Sequence, residues 1–361
     1  MSLAVEAIEV GAWRIPTDAP ESDGTLAWDA TTLVVVHARA GDREGLGYTY
    51  ADAATARLVA EHLAPVVCGR DPLAPPAAWQ AMVHATRNLG RPGLTSMAIS
   101  AVDCALWDLA ARLLDAPLVV MLGACHEGVM AYGSGGFTSY DDSRLRSQLE
   151  GWVAAGLTAV KIKVGRDPPA DPRRVRLARE AIGDGAALFV DGNGAWHPAA
   201  AIAMAHAFAE HRVSWFEEPC TADDLDGLRR VRDHAPPGME IAAGEYGYDA
   251  GYFRRMLPVV DCLQIDVTRC GGYTGWRRAA ALADAFHVPV SAHCAPQLSA
   301  HACCATRAPR HLEYFHDHVR IERALFDGGL APVDGRLCPD RGRAGHGLSF
   351  KRRDAERHRI G

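Results

Sequence analysis

Four short segments decide the fold of this chain: KIKVG (161–165), VDGNGAW (190–196), WFEEP (215–219) and AAGEY (242–246). Each is an apolar run that ends in charged or amide side chains. Intervals of 28, 26 and 28 residues separate the reactive residues Lys163, Asp191, Glu217 and Glu245. One strand, one loop and one returning helix take about 20–30 residues. The spacing therefore predicts that successive parallel strands deliver side chains to one face of a barrel.

The series continues beyond Glu245 through Asp266, His293 and Glu313. From Val129 onward, strand and helix patterns alternate strictly and give eight strands, the number that closes a (β/α)8 barrel. The eighth strand, HLEYF (311–315), has no obvious helix after it. We therefore predict a modified TIM-like barrel in which the last helix is replaced.

The chain before the barrel follows a different pattern, with strands first and helices afterwards, which indicates an α+β domain. Strands are predicted at 3–13, 31–41 and 45–50, and the polar, turn-rich residues 14–24 predict a mobile loop. The predicted domains are an N-terminal α+β capping domain (1–125), a catalytic (β/α)8-type barrel (126–320) and a C-terminal segment that returns to the cap (321–361).

Composition restricts the class of protein. The chain has 361 residues, 48% apolar and 23% charged, and a net charge of -6, which is typical of a soluble globular protein. This charge gives no sign of nucleic-acid or membrane binding. The ten cysteines form no CxxC pair, and no secretory signal or long apolar span is visible. We therefore expect reduced thiols and a cytoplasmic location.

Three carboxylates, Asp191, Glu217 and Glu245, stand at consecutive strand ends. Hard oxygen ligands from separate strands suit Mg²⁺, which keeps positions open for substrate oxygens. The alternative is that each acid caps a helix or forms one half of a salt bridge. Glu218 follows Glu217 directly and should face the opposite way, so only one of the two should bind the metal, and position alone does not say which.

Two lysines on one strand, Lys161 and Lys163, should point the same way, into the barrel mouth. Their mutual repulsion predicts a lowered pKa for one of them, which would make it a base near neutral pH. The alternative is a solvated pair at an exposed strand end.

Asp266 and His293 end the sixth and seventh strands, where an Asp–His hydrogen bond would raise the basicity of the imidazole. Glu313 on the eighth strand is predicted to donate a hydrogen bond to a substrate carboxylate, if protonated, or else to form a structural ion pair. The second and seventh strands face each other across the mouth, so a base could approach each face of a substrate carbon. This arrangement suits removal of a proton next to a carboxylate.

The sequence resembles the enolase superfamily, mandelate racemase subgroup. The segments that carry the resemblance span nearly the whole chain: SMAISAVDCALWDLAARLLDAPL (96–118), KIKVG, DGNGAW (191–196), WFEEP, GEYGY (244–248), QIDVTRCGGYTGW (264–276) and SAHCAPQLSAH (291–301). Asp266 stands where the dipeptide-epimerase and cycloisomerase subgroup carries a lysine, which argues against that subgroup.

The resemblance implies a role for each matching position. Asp191, Glu217 and Glu245 would bind Mg²⁺. Lys163 would be one base, oriented by Lys161, and His293 paired with Asp266 would be the opposite base or the acid, while Glu313 would bond the substrate carboxylate. Asn193 would contact substrate, as would Tyr48 and Tyr50 in cap loops at about 16–24 and 46–50. Relatives usually form dimers or octamers, so a homo-oligomer is expected.

The leading functional hypothesis is dehydration of an acid sugar, an aldonate or aldarate, to a 2-keto-3-deoxy acid. The first alternative is a racemase or epimerase of a 2-hydroxy acid, which uses the same first step. A non-catalytic acid-binding barrel would need a broken set of reactive residues, and the sequence shows none. A phosphate-handling barrel would use Gly271 and Gly272, but these follow the sixth strand rather than the seventh or eighth, where such sites occur.

Overall fold

The computed structural model describes residues 3–360, which begin with an antiparallel sheet and a set of helices. The sheet strands are β1 (Ala7–Ser22), β2 (Ala27–Ala40) and β3 (Arg43–Tyr50). The helices that follow are α1 (Ala54–Leu58), a π-helical turn (Val59–Leu63), α2 (Ala64–Val67), α3 (Pro75–Ala85), a 3-10 turn (Arg87–Leu89), α4 (Leu94–Leu113) and α5 (Leu118–Met121). The predicted α+β cap is confirmed.

Eight parallel strands then form a closed barrel, as predicted, because the last strand pairs with the first. They are β4 (Val129–Gly135), β5 (Ala159–Lys163), β6 (Ala187–Asp191), β7 (Val213–Glu217), β8 (Glu240–Ala243), β9 (Cys262–Ile265), β10 (Val290–Ala292) and β11 (Pro309–Phe315). The helices after them are α6 (Asp142–Ala154), α7 (Asp171–Ile182), α8 (Pro198–Ala209), α9 (Leu225–His234), α10 (Ala250–Met256) with a 3-10 turn (Leu257–Val259), α11 (Gly272–Ala285), α12 (Pro296–Cys304) and α13 (His316–Leu325).

The C-terminal tail returns to the cap. Its short elements are β12 (Phe326–Asp327), β13 (Arg336–Leu337), β14 (Ser349–Phe350), α14 (Arg352–Ala355), a 3-10 turn (Glu356–His358) and β15 (Arg359–Ile360). Strand β15 pairs antiparallel with β1 at Ala12 and Trp13, so the last residues extend the cap sheet.

Two local predictions were wrong. Residues 14–22 belong to β1 rather than to a loop, because Ile15 and Pro16 pair with β2 and pairing resumes, after a register shift, at Glu21. Prolines are tolerated there because this part of β1 has no second neighbour among the described strands. A helix, α13, also follows the eighth strand, where none was predicted. The predicted boundary after residue 320 falls inside α13, so we propose that the tail begins after Leu325.

Helix α4 joins the cap to the rest of the molecule. It lies directly on β3, where a Cβ on Gly47 would come within 2.2 Å of the Ala101 carbonyl oxygen. Its buried Asp108 accepts hydrogen bonds from the backbone N–H groups of Leu46 in the cap and His346 in the tail, both at 2.8 Å. Its length and apolar composition would suffice to cross a membrane, but 89% of its most apolar stretch is buried inside the protein.

The turn between β1 and β2 closes over the barrel mouth. A Cβ on Gly24 would lie 2.6 Å from the carbonyl oxygen of Val164 and 2.7 Å from that of Gly192, both at barrel strand ends. The Thr138 backbone N–H, after β4, donates to the Ser22 carbonyl oxygen at 2.8 Å. The cap therefore contacts the barrel close to the residues that carry chemistry.

A buried carboxyl group, Glu322 of α13, links the barrel to β3. The Tyr48 hydroxyl donates to its Oε1 at 2.6 Å and the Tyr50 hydroxyl does so at 3.3 Å, while Oε2 has no partner. Burial raises the pKa of Glu322 to about 8, although the two tyrosine hydrogen bonds lower it. The group therefore keeps its proton at neutral pH in the folded protein.

This linkage predicts a pH-dependent stability. Between the ordinary pKa of 4.5 and the folded value of about 8, the folded state binds more protons than the unfolded state. The free energy of unfolding should therefore fall as pH rises through this window, by at most about 1.4 kcal/mol per pH unit from this group. Glu322→Gln should match wild type near pH 4.5 and become progressively more stable than wild type up to pH 8.

Chemical denaturation at several pH values would measure this difference. The exposed Glu150→Gln is the matched control and should show no pH-dependent difference from wild type. A constant gap between Glu322→Gln and wild type across the whole range would contradict the assignment.

Candidate active site

The strand β5 directs both lysines into the barrel. Val160 and Ile162 alternate with them and pack into the apolar core outside the sheet. Lys161 has no exposed surface, and its Nζ contacts Glu217 Oε1, Glu313 Oε1 at 2.9 Å and Asp191 Oδ2 at 3.3 Å. The alternative of a solvated lysine pair is thus excluded.

Lys163 lies two residues further along β5, closer to the barrel mouth, and its Nζ is 2.5 Å from Asp191 Oδ2. The prediction that one of the two lysines has a lowered pKa was wrong, because the pKa of each is raised. Burial and Lys161 do oppose the charged form, but Asp191, Glu313 and Glu217 outweigh them and raise the pKa of Lys163. Both lysines are therefore ammonium groups held by carboxylates.

Three carboxylates converge beside these lysines. Asp191 and Glu217 are the last residues of β6 and β7; Asp191 pairs in register with Lys163 on β5, and Glu217 pairs with Asp191. Glu245 follows the end of β8. One oxygen from each of the three lies within 4.8 Å of the others, and Glu245 Oε2 is buried without a hydrogen-bond partner. A donor set of carboxylate oxygens at this separation suits a divalent, oxygen-preferring cation such as Mg²⁺.

The charges of this trio are crowded. Burial and the neighbouring Asp191 raise the pKa of Glu217, whereas Lys163 and Lys161 outweigh burial and lower the pKa of Asp191 to about 2. A bound cation would relieve this repulsion. The residues present therefore fit the predicted metal.

Only the first glutamate of WFEEP joins the trio. Glu217 contacts Lys161 and accepts a hydrogen bond from Trp215 Nε1 at 3.1 Å. Glu218 has a left-handed backbone conformation with φ of 39°. Its side chain lines a separate cavity, and its Oε1 is buried without a hydrogen-bond partner. Of the two glutamates, only Glu217 thus lies close enough to Asp191 and Glu245 to share a cation with them.

His293 and Asp266 form the predicted pair. His293 Nδ1 lies 2.7 Å from Asp266 Oδ2, and Asp266 Oδ1 accepts from the backbone and hydroxyl of Thr268, both at 2.7 Å. This bond assigns the proton on Nδ1 and leaves Nε2 to face the carboxylates, 3.3 Å from Glu245 Oε2. Burial opposes the charged form, but Glu245, Glu313 and Asp266 together raise the pKa of His293.

Of the two arrangements predicted for Glu313, the structure shows the structural ion pair. It accepts hydrogen bonds from Ser134 Oγ at 2.5 Å, from Lys161 Nζ and from the Cys294 backbone N–H at 3.1 Å. Although burial opposes it, Lys161 and His293 hold the pKa of Glu313 well below its usual range. Glu313 is therefore an ionised acceptor that orients Lys161, rather than a protonated donor.

Three residues, Asn193, Tyr48 and Tyr50, were predicted to contact the substrate. Asn193 follows β6 with φ of 45°, and its Oδ1 is buried without a partner at the edge of the site. Tyr48 is fully buried, and Tyr50 stacks on His318 with ring centroids 3.4 Å apart. Both tyrosine hydroxyls bond Glu322, so their contact with substrate stays a prediction.

Sequence reasoning missed three residues that shape the site. Arg269 bridges Glu245 Oε1 at 3.1 Å and Asp266 Oδ2 at 3.5 Å, and Ser134 holds Glu313. Cys294 Sγ lies 3.3 Å from His293 Nε2. Arg269 and Cys294 lie within segments that the sequence had marked, but neither sits at the regular strand-end interval that identified the others.

The site is that of a metal-dependent enzyme, and the comparisons with known proteins agree. Residues 144–355 match the family described as enolase C-terminal domain-like, and residues 9–123 match the mandelate racemase/muconate lactonizing enzyme N-terminal domain. The chain belongs to this mandelate racemase/muconate lactonizing enzyme family of the enolase superfamily.

Three relatives illustrate the range of this family. A mandelate racemase/muconate lactonizing enzyme-like protein from Rubrobacter xylanophilus superposes with a TM-score of 0.98 at 53% identity, covering 99% of this chain and 100% of that one. A 3,6-anhydro-α-L-galactonate cycloisomerase from Streptomyces coelicolor is 34% identical over 96% of this chain and 98% of that protein. An L-talarate/galactarate dehydratase from Salmonella typhimurium, solved with Mg and L-lyxarohydroxamate, superposes with a TM-score of 0.91 at 26% identity. The match covers 100% of this chain and 94% of that one.

The carboxylate trio makes a direct prediction about metal affinity. Glu245→Gln replaces one of the three buried carboxylates with a neutral amide and should raise the Mg²⁺ dissociation constant at least about tenfold. Calorimetric titration of the folded protein with Mg²⁺ would measure it. Glu240→Gln, at the opposite end of β8, is the control and should bind Mg²⁺ as wild type does. Equal affinities in the two variants would remove Glu245 from the metal site.

Proposed function

We propose that this enzyme dehydrates an acid sugar, an aldonate or aldarate, to a 2-keto-3-deoxy acid, with Mg²⁺ as its cofactor. The observation that carries the proposal is the position of two proton carriers, Lys163 on β5 and His293 on β10. These strands lie across the barrel from each other, and strands β6–β8, which carry or precede the three carboxylates, lie between them on one side.

The substrate carboxylate is expected beside the acid trio and the ammonium of Lys161. When bound, Mg²⁺ supplies positive charge next to the carboxylate oxygens, which stabilises the negative charge that develops there. Lys161, fixed by Glu313, adds a second positive charge at the same place. Both favour loss of the proton on the adjacent carbon.

The proton transfers follow from the two carriers. The C–H bond next to the carboxylate breaks and its proton passes to Lys163 Nζ, once this amine is neutral. Asp191 would favour the ammonium form of Lys163 less strongly if its carboxylate also held the metal ion. His293, with its pKa raised and Asp266 holding Nδ1, then gives the Nε2 proton to the β-hydroxyl as its C–O bond breaks. Water leaves, and the enol product rearranges to the 2-keto acid.

A second candidate is opening of a 3,6-anhydro ring, favoured by the likeness to the Streptomyces coelicolor cycloisomerase. The same proton is removed, but the leaving oxygen is the ring ether, so no water is lost and the product mass equals the substrate mass. Racemisation of a 2-hydroxy acid remains the third candidate, since His293 could return a proton to the carbon instead.

The phosphate-handling alternative loses its support. Asp103 of α4 occupies the space in front of α11, with Oδ2 accepting from the Thr274 backbone N–H at 2.9 Å. A Cβ on Gly272 would lie 2.4 Å from the same oxygen. This helix end is already capped by a buried acid, so it offers no room for a phosphate. A homo-oligomeric state and a cytoplasmic location stay predictions.

Incubation with Mg²⁺ and a library of acid sugars tests the proposal. We expect a 2-keto product 18 mass units lighter than its substrate, the mass of the water released. A 2-keto product of unchanged mass from an anhydro acid would favour ring opening. Deuterium uptake at the α-carbon in D₂O without keto product would favour racemisation, and no reaction with any acid would refute all three.

The two-carrier scheme predicts that Lys163→Ala and His293→Asn each reduce turnover by at least about 100-fold, the usual contribution of a positioned acid or base. Mg²⁺ affinity should stay close to that of wild type, because neither residue belongs to the carboxylate trio. Substantial turnover in both variants would rule out the scheme. Exchange of the α-proton retained in His293→Asn but lost in Lys163→Ala would identify Lys163 as the base.

A further inference from the structure

A cavity of about 560 Å³ is lined largely by residues of the segments that follow β6, β7 and β8. Asn193 and Glu218, which line it, follow the ligands Asp191 and Glu217 by two residues and one residue. Tyr252 of α10 lines the same space. The cavity is large enough for a small organic molecule and lies next to the place expected for the substrate carboxylate.

Three polar atoms on this lining lack hydrogen-bond partners although they are buried. They are Glu218 Oε1, Asn193 Oδ1 and the Tyr252 hydroxyl, and they come from three different segments of the barrel. Glu218 is only 2% exposed, and its backbone adopts a left-handed conformation at φ of 39°. Buried polar atoms are nearly always paired, so their convergence on one cavity indicates a ligand that supplies the partners.

The lining also indicates the chemistry of that ligand. Tyr246 and Tyr248 add aromatic surface, while Asp223 and Asp249 add acidic groups against a single cation, Arg255. Carboxylate, amide and phenol groups can all bond sugar hydroxyls, and aromatic faces pack on C–H surfaces. Asp223 and Asp249 outnumber the cation Arg255, which would disfavour a second carboxylate in this cavity.

A second metal ion does not fit the lining. Among the described residues, no group of three potential ligands within 4.8 Å of one another includes Glu218, Asp223 or Asp249. The acids are therefore too dispersed to surround one cation. Hydroxyl groups spread along a carbon chain match this spacing better.

We propose that this cavity is the subsite for the neutral, hydroxyl-bearing end of the substrate, which makes the preferred substrate an aldonate rather than an aldarate. The inference rests on the proposed function, because it places the substrate carboxylate at the metal. Glu218, Asn193 and Tyr252 then select the substrate by bonding its distal hydroxyls. These residues are specificity determinants and take no part in proton transfer.

Calorimetry in the presence of Mg²⁺ tests the subsite with matched pairs of six-carbon aldonates and aldarates, such as galactonate and galactarate, and with three-carbon glycerate. At least one aldonate should bind about tenfold more tightly than its aldarate. Tyr252→Phe, which removes one hydroxyl, should weaken binding of that aldonate by about 3- to 10-fold. Glycerate, which is too short to reach the cavity, should bind the variant and wild type alike.

Tyr140→Phe is the matched control, since Tyr140 lies near Arg144 after β4 and does not line the cavity. It should bind the aldonate as wild type does, and Mg²⁺ affinity should be unchanged in both variants. Tighter binding of the aldarates, no binding of any aldonate, or an effect of Tyr252→Phe below twofold would overturn the subsite.

The two proposals can fail separately. An aldonate that binds through Tyr252 but is not dehydrated would refute the proposed reaction and keep the subsite. An aldonate that is dehydrated with the same KM by wild type and Tyr252→Phe would keep the proposed reaction and refute the subsite.

Discussion

The ammonium group of Lys161 is buried without exposed surface inside the barrel, and the rest of the site depends on how it is neutralised. It contacts Glu217, Asp191 and Glu313 at once. Removing charges from water costs several kcal/mol per ion unless partners surround them closely. The closed barrel provides these partners, because each comes from a different strand and all meet at one height. The charge of Lys161 is therefore neutralised only because the barrel fold brings these strands together.

The cap depends on the same barrel for its position. Gly47 lets α4 lie directly on β3, and Asp108 of α4 binds both the cap and the tail. The turn at Gly24 touches carbonyl oxygens at the ends of β5 and β6. The cap therefore covers the mouth through backbone contacts that leave no space for larger side chains. A substrate must fit beneath this cover or extend towards the cavity at Glu218.

Prediction from sequence succeeded where a side chain's position in the barrel follows from its place on a strand. The alternation in KIKVG directs Lys161 and Lys163 inward, and regular intervals located the acid trio and the Asp266–His293 pair. It failed at residues 14–22, where prolines and polar residues indicated a loop but pairing with β2 made a strand. It also failed at α13, a helix that was not recognised because its sequence is rich in polar residues. The first error arose because pairing with a neighbouring strand overrides local preference.

The sequence by itself determined the barrel, the residues at its mouth and the family, because strand periodicity and spacing are properties of the chain. Only the tertiary structure decided how these residues act on one another. The choice of Glu217 over Glu218, the ionised state of Glu313, the raised pKa of Lys163 and the bridging by Arg269 all depend on distances between strands far apart in sequence. Electrostatic interactions and burial depend on those distances, and the order of residues along the chain does not contain them.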